Sequence, residues 1–131
     1  MNILFASSEA VPFAVSGGLA EVAGALPKAL KAKGEDVRVI LPLYGSVTEE
    51  QRAEMKYLLN FDVAVAWRRQ YCGVFEAKAD GVTYYLLDNE YYFKRSGLYG
   101  YYDDAERFAF FSRAVLDTIQ HLQELDGFKP D

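Results

Sequence analysis

The fold is decided by residues 2–42, which read NILFASSEAVPFAVSGGLAEVAGALPKALKAKGEDVRVILP. Ile3 to Ala6 is an unbroken apolar run, the pattern of a strand covered on both faces of a parallel sheet. A helix is predicted from the spacing of five apolar residues: Leu19, Val22, Ala23, Leu26 and Leu30. Val37 to Leu41 is the next apolar run. The segment therefore predicts a β-α-β unit with parallel strands and a right-handed crossover.

Local signals set the limits of these elements. Gly34 follows the helical pattern where a C-cap is expected, and Pro42 stops the second strand. Pro27 lies inside the helical pattern, so we expect a kink there, because proline removes one hydrogen bond and clashes one turn back.

The pattern changes after the β-α-β unit. Three strand-like runs lie between Tyr57 and Asp88, and the first alternates through Trp67. Asp80-Gly81 is a strong hairpin turn signal between the last two runs. We therefore predict an α/β fold with a mostly parallel sheet and an antiparallel hairpin portion.

The clearest helical pattern runs from Asp103 to Glu124. Asp103 with Glu106 three residues on resembles a capping box, and Gly127 is a natural residue to follow the helix. One face of this helix is predicted to be apolar, with Phe108, Phe111, Val115, Ile119 and Leu122.

Composition excludes several classes of protein. The chain has 131 residues and a formal net charge of −5, without the basic stripe that nucleic-acid binding requires. No apolar stretch approaches the ~18 residues of a membrane span, and no charged leader precedes the first strand. The lone Cys72 fits a reducing compartment and is expected to be a buried small side chain, so we predict a cytoplasmic protein that does not insert into membranes.

The loop Val15-Ser16-Gly17-Gly18 leads from the first strand towards the first helix. Glycines let a ligand approach the main chain, and a helix N-terminus offers unpaired N–H groups that suit phosphate. In open parallel sheets, the ligand crevice lies where such a loop would sit. The same residues also fit a tight turn without a ligand, and the loop is neither a GxGxxG fingerprint nor a Walker P-loop.

Two carboxylates flank this loop. Glu9 follows the first strand, and Glu21 falls in the first turn after the glycines. Both are candidates to accept hydrogen bonds from sugar hydroxyls. Alternatively, Glu21 only favours the helix start, and Glu9 is a solvated loop charge.

Aromatic residues concentrate in the second half of the chain. Eleven of the twenty lie between Tyr84 and Phe111, and most are expected to pack in the core, with one or two facing a ligand. The lone His121 has no partners at metal-ligand spacing and is given no role.

Two long motifs resemble bacterial glycogen synthases and plant starch synthases. The first includes Ser16 to Val22 with Gly24 to Leu30, preceded by Ser8-Glu9 and Pro12-Phe13 and followed by Gly34 to Pro42. The second comprises Gly97 to Gly100 and Asp104 to Ala114, in the family's order. The similarity covers nearly the whole chain in register.

The resemblance implies a GT-B fold of two Rossmann-like domains and a retaining transfer of glucose from ADP-glucose, or UDP-glucose, to an α-1,4-glucan. No metal or other cofactor is implied. By the same resemblance, Gly17 and Gly18 would donate backbone N–H groups to the diphosphate, and Glu9, Glu21 and Tyr99 would contact sugar or nucleotide.

The chain departs from the family pattern at Val15, where the family usually has a lysine. Residues 1–131 are expected to be a truncated acceptor-side domain that holds no catalytic residue and transfers no glucose alone. The alternatives are a GT-B transferase with another sugar donor and a non-catalytic module that binds glucan or phosphate.

Overall fold

The computed structural model describes residues 1–131 as nine elements. In chain order they are β1 (Asn2–Ala6), α1 (Gly18–Ala32), β2 (Asp36–Pro42), α2 (Glu49–Ala53), β3 (Lys56–Val65), β4 (Arg68–Ala79), β5 (Val82–Asp88), α3 (Glu90–Phe93) and α4 (Asp104–Asp126). No helix was predicted for the two short helices, α2 and α3.

The strands form one mixed sheet in the order β1-β2-β5-β4-β3. β1 pairs with β2, and β2 with β5, in parallel, whereas β4 runs antiparallel to both β5 and β3. The predicted α/β fold is therefore confirmed, and the sheet is mixed: its two antiparallel pairings join more residues than its two parallel ones.

This topology gathers the loops at one end of the sheet, which we call the carboxyl end. Strands β1, β2 and β5 all finish there, because they are parallel to one another. Gly73 of β4 pairs with Asp88, the last residue of β5, so the earlier residues of β4 extend beyond that end. The β3–β4 turn thus projects on the same side as the loops after β1, β2 and β5.

Both hairpins turn through two residues. Asp80 and Gly81 have φ angles of 51° and 77°, as a type I′ turn requires, so the predicted turn is confirmed. The first hairpin turns at Ala66 (φ 53°) and Trp67. Trp67 was predicted to continue a strand, and this was wrong, because alanine in a left-handed conformation gives no sequence signal.

Helix α1 is confirmed, but three of the five residues of its predicted apolar face are exposed. Leu19, Val22 and Leu26 are about half exposed, whereas the residues packed inward are Ala20, Ala23 and Pro27. Small side chains let the helix approach the preceding loop: a Cβ on Gly24 would lie 3.2 Å from the Cβ of Val11. The kink at Pro27 stays a prediction.

Strand β1 is less covered than its sequence predicted. Its residues are partly buried or exposed, because it is the outermost strand of the sheet. Val39 to Leu41 of β2, one strand further in, are completely buried. The core therefore centres on β2, β5 and β4, where Cys72 is also buried and burial raises the pKa of its thiol to about 12.

Helix α4 packs against β3 and ends at Gly127 in the left-handed conformation that was predicted. Its predicted capping box is wrong. The side chain of Asp103 makes no capping bond and instead accepts two hydrogen bonds, of 2.6 and 2.8 Å, from the guanidinium group of Arg95. Glu106 accepts from Arg68 and Tyr92.

Candidate functional site

The glycine loop, Val15 to Gly18, connects the carboxyl end of the sheet to the start of α1. Gly17 is the N-cap of α1, and no side chain of its own can cap the helix. The first N–H groups of α1 therefore need partners from elsewhere.

Glu9 supplies part of that capping. It is buried, and its Oε1 accepts hydrogen bonds from the backbone N–H groups of Ser16 (3.3 Å), Gly17 (3.1 Å) and Ala20 (3.2 Å). Its Oε2 accepts from the Ser16 hydroxyl at 2.5 Å. Burial acts to raise the pKa of Glu9, but the hydrogen bonds from Ser16, Tyr99 and the backbone outweigh it and lower the pKa. The carboxylate is thus a fixed anion at the N-terminus of α1, where the helix dipole favours negative charge.

Tyr99 is the other partner of this carboxylate. Its phenol donates to Oε2 of Glu9 at 2.6 Å and lies 2.7 Å from the hydroxyl of Ser8. Burial and the bond to the carboxylate raise the pKa of Tyr99 to about 12. The hydroxyl of Tyr44 donates to the carbonyl of Ser8 at 2.7 Å. Glu9 and Tyr99, both predicted site residues, are therefore joined in one hydrogen-bonded network.

Neither the packing nor the backbone conformation of the loop requires glycine at positions 17 and 18. A Cβ on Gly17 or Gly18 would have no atom within 4 Å, and neither residue has a positive φ. The N–H of Gly17 is donated to Glu9, whereas those of Gly18 and Leu19 make no hydrogen bond. The loop thus keeps open space and free donors for a group from outside the chain. The assignment of both glycine N–H groups to a diphosphate stays a prediction.

Val15 and Glu21, which the sequence analysis named, lie outside the network of Glu9 and Tyr99. Val15 is 54% exposed at the start of the loop. Glu21 is exposed in the first turn of α1, makes no side-chain hydrogen bond, and lines a shallow depression with Val11, Gly24 and Lys28.

The sequence analysis included Arg107 in a motif but assigned it no role of its own. Its side chain is fully buried; Nε donates to the carbonyl of Tyr92 (2.7 Å), and Nη1 donates to the carbonyl of Leu98 and to Asp104 (both 2.9 Å). Nη2 has no hydrogen-bond partner. Arg107 thereby fixes the segment that carries Tyr99. The sequence signal was an arginine that stands three residues after an aspartate and directly before the aromatic stretch Phe108 to Phe111.

No three or more His, Cys, Asp or Glu side chains cluster where they could hold a metal ion. His121 lies stacked on Phe61, with ring centroids 4.5 Å apart. None of the helices combines the length and the hydrophobicity that crossing a membrane demands.

Comparison with known proteins relates this arrangement to one family. Residues 2–131 match the family model described as starch synthase catalytic domain. The chain is 56% identical over 131 residues to a glycogen synthase of Clostridium novyi and 57% identical over 131 residues to one of Geobacillus stearothermophilus. Both matches cover 100% of this chain, but they cover only 27% and 26% of the two relatives, respectively.

A solved structure supports the same relationship. The catalytic domain of starch synthase IV from Arabidopsis thaliana, bound to ADP and acarbose, superposes with a TM-score of 0.84 at 28% sequence identity. The match covers 99% of this chain and 26% of that one. The chain thus spans about a quarter of the length of the relatives it matches.

Proposed function

The chain belongs to the starch synthase catalytic domain family, and on that premise we propose that the protein containing it is a retaining GT-B glucosyltransferase. It transfers glucose from a nucleoside diphosphate glucose, ADP-glucose in the first place, to the non-reducing end of an α-1,4-glucan. One observation carries the proposal: the open glycine loop at the carboxyl end of the sheet, in a chain similar to an enzyme bound to ADP and acarbose.

Residues 1–131 are proposed to form part of the acceptor-side domain, with the nucleotide-binding domain elsewhere in the protein. The share of the relatives' length that the chain covers supports this division. We assign no catalytic residue within residues 1–131.

The residues of the site have distinct proposed roles. Gly18 and Leu19 offer their free N–H groups to the diphosphate, whose negative charge suits the first turn of a helix. Glu9 and Tyr99 hold the loop in place, because the carboxylate oxygens are already occupied by donors of the chain. Glu21 is free to accept hydrogen bonds from a sugar hydroxyl.

The proposed compartment is the cytoplasm. Its support is the single cysteine, which is buried and unpaired, as is common in proteins of reducing compartments.

The test is incorporation of labelled glucose into glycogen by the full-length protein, with ADP-glucose and UDP-glucose compared side by side. Incorporation from one of them identifies the donor. Residues 1–131 alone are the matched control and are expected to give no turnover. A folded full-length protein that transfers from neither donor would contradict the proposal and favour another sugar nucleotide, or a binding module.

A further inference from the structure

Arg107 is a completely buried cation in the first turn of α4. All the atoms that bury it belong to residues 1–131, so its burial does not depend on the rest of the protein. Taking a charge out of water costs free energy, and the first turn of a helix favours negative charge. An apolar side chain of similar length would fill the same space without either cost. Packing alone therefore does not account for an arginine at this position.

The hydrogen bonds of Arg107 hold the main chain on both sides of Tyr99. Nη1 donates to the carbonyl of Leu98, the residue before Tyr99, at 2.9 Å. It also donates to Asp104 at 2.9 Å, and Asp104 accepts a 2.9 Å bond from the N–H of Gly100, the residue after Tyr99. Arg107 and Asp104 together thus fix the two peptide groups that determine where the Tyr99 side chain starts.

Aromatic rings hold the guanidinium group itself in place. Its carbon lies 4.8 Å from the ring centre of Tyr101, 5.2 Å from that of Phe108 and 5.5 Å from that of Phe93. Ring faces attract a cation, which stabilises a group whose Nη2 has no hydrogen-bond partner. A lysine would carry the same charge, but it could not reproduce the planar set of donors. The geometry of arginine, and not only its charge, is therefore required.

Tyr99 connects this arrangement to the glycine loop. Its phenol donates to Glu9 at 2.6 Å, and Glu9 accepts from the N–H groups of Gly17 and Ala20 at 3.1 and 3.2 Å. Arg107 makes no hydrogen bond to Glu9 or to the loop, because its donors go to Tyr92, Leu98 and Asp104. Any effect of Arg107 on the loop therefore passes through Tyr99.

We propose that Arg107 is a positioning residue for the nucleotide sugar, an inference that rests on the proposed glucosyltransferase function. Arg107 holds Tyr99 where its phenol fixes Glu9, and Glu9 holds the glycine loop in the form that receives the diphosphate. A binding group must be held to within a fraction of an ångström to be effective, and this precision comes from the residues behind it.

The test measures binding of ADP to the full-length protein by isothermal titration calorimetry. Arg107→Lys keeps the charge and loses the planar donors. Asp104→Ala removes the acceptor that holds Gly100, at a side chain that is 34% exposed and therefore tolerates replacement even if Arg107→Lys does not fold. We expect the dissociation constant of ADP to rise at least about tenfold in each variant, the loss expected when one hydrogen bond to a charged group is misplaced.

Arg38→Lys is the matched control. The guanidinium carbon of Arg38 also lies over a ring, 3.9 Å from the centre of Phe128, and the group pairs with Asp126 at 2.8 Å. Its hydrogen bonds go to Tyr85 and Asp126, away from the glycine loop. We expect Arg38→Lys to lower the free energy of unfolding without changing the affinity for ADP. An equal loss of affinity in Arg38→Lys and Arg107→Lys would overturn the positioning role.

A double-mutant cycle separates positioning from general loosening of the fold. Because Arg107 is proposed to act through Tyr99, adding Arg107→Lys or Asp104→Ala to Tyr99→Phe should weaken ADP binding little beyond Tyr99→Phe alone. Fold-changes that multiply in the double variants would contradict the proposal. So would folded single variants of Arg107 and Asp104 that bind ADP as tightly as the wild type.

Amide hydrogen exchange distinguishes the failure of this inference from the failure of the proposed activity. Faster exchange of Gly17 and Ala20 in the Arg107 or Asp104 variant would support the holding of the loop even in a protein that transfers no glucose. Unchanged exchange in the variants of a protein that does transfer glucose would keep the proposed activity and refute the role of Arg107.

Discussion

The phenol of Tyr99 donates a 2.6 Å hydrogen bond to the carboxylate of Glu9, which lies 90 residues earlier in the chain. This bond joins the segment after β5 to the segment after β1, two connections that share only the carboxyl end of the sheet. Glu9 in turn accepts from the N–H of Gly17 and from that of Ala20. Tyr99 therefore holds the glycine loop through Glu9, although Tyr99 is far from the loop in sequence.

Replacing Tyr99 with phenylalanine removes this bond and keeps the ring. We expect the free energy of unfolding to fall by about 1.5–3 kcal/mol, the range for a hydrogen bond to a charged group. Amide hydrogen exchange of Gly17 and Ala20 is expected to accelerate. Tyr102→Phe is the control, because the Tyr102 side chain is 95% exposed and makes no hydrogen bond. Equal exchange rates in both variants would show that Tyr99 does not hold the loop.

Replacing Glu9 with glutamine tests the charge of the same network. A buried carboxylate that accepts several hydrogen bonds is lost, so we expect the free energy of unfolding to fall by about 2–4 kcal/mol near neutral pH.

The difference in the free energy of unfolding between wild type and Glu9→Gln should become smaller as the pH falls. The folded-state pKa of Glu9 lies below its ordinary value of 4.5, so the unfolded chain binds the proton first as the pH falls. The stabilisation is complete above that value and is lost as the pH drops through the folded pKa. Urea unfolding of wild type and Glu9→Gln from pH 7 to pH 3 would measure it. A gap that widens on acidification would contradict this assignment.

Periodicity and turn chemistry predicted most of the fold. The apolar runs gave the parallel strands, and Asp80-Gly81 gave the second hairpin, because aspartate and glycine are the residues that a type I′ turn favours. The hairpin at Ala66 and Trp67 was misjudged, because tertiary context imposes a positive φ on an alanine.

The hydrogen-bond and ion-pair partners of individual side chains were harder to predict from the sequence. Asp103 resembles a helix cap in sequence, but Arg95 lies close enough to take its carboxylate in a two-bond ion pair. The link between Glu9 and Tyr99 depends on the order of strands in the sheet, which no local pattern contains. The glycine loop itself was identified because its signal is local.

Alanine at Gly17 or Gly18 distinguishes a structural requirement from a ligand requirement. A Cβ there meets no atom within 4 Å, so we expect the free energy of unfolding to stay constant or to rise by up to about 1 kcal/mol. Binding of ADP-glucose to the full-length protein should weaken by about tenfold or more, because a methyl group would separate the phosphate from the main chain.

Gly45→Ala provides the opposite control. Its Cβ would lie 2.8 Å from the carbonyl oxygen of Arg95, so we expect the variant to lose about 1–3 kcal/mol of stability by overpacking. If Gly17→Ala or Gly18→Ala destabilised the protein like Gly45→Ala, the glycine pair would serve the turn and not a ligand.

Val15→Lys restores the cation that the family usually carries beside the glycine pair. Val15 is 54% exposed, so the longer side chain needs no repacking. A lysine near a bound diphosphate adds a charge-assisted hydrogen bond of about 1.5–3 kcal/mol, so we expect the KM for ADP-glucose to fall at least about tenfold. Leu26→Lys is the control, because Leu26 is also exposed but lies about 12 Å further along α1 than Gly18. An equal fall in KM for both variants would reflect general electrostatic attraction, and no fall for Val15→Lys would place the diphosphate away from the glycine loop.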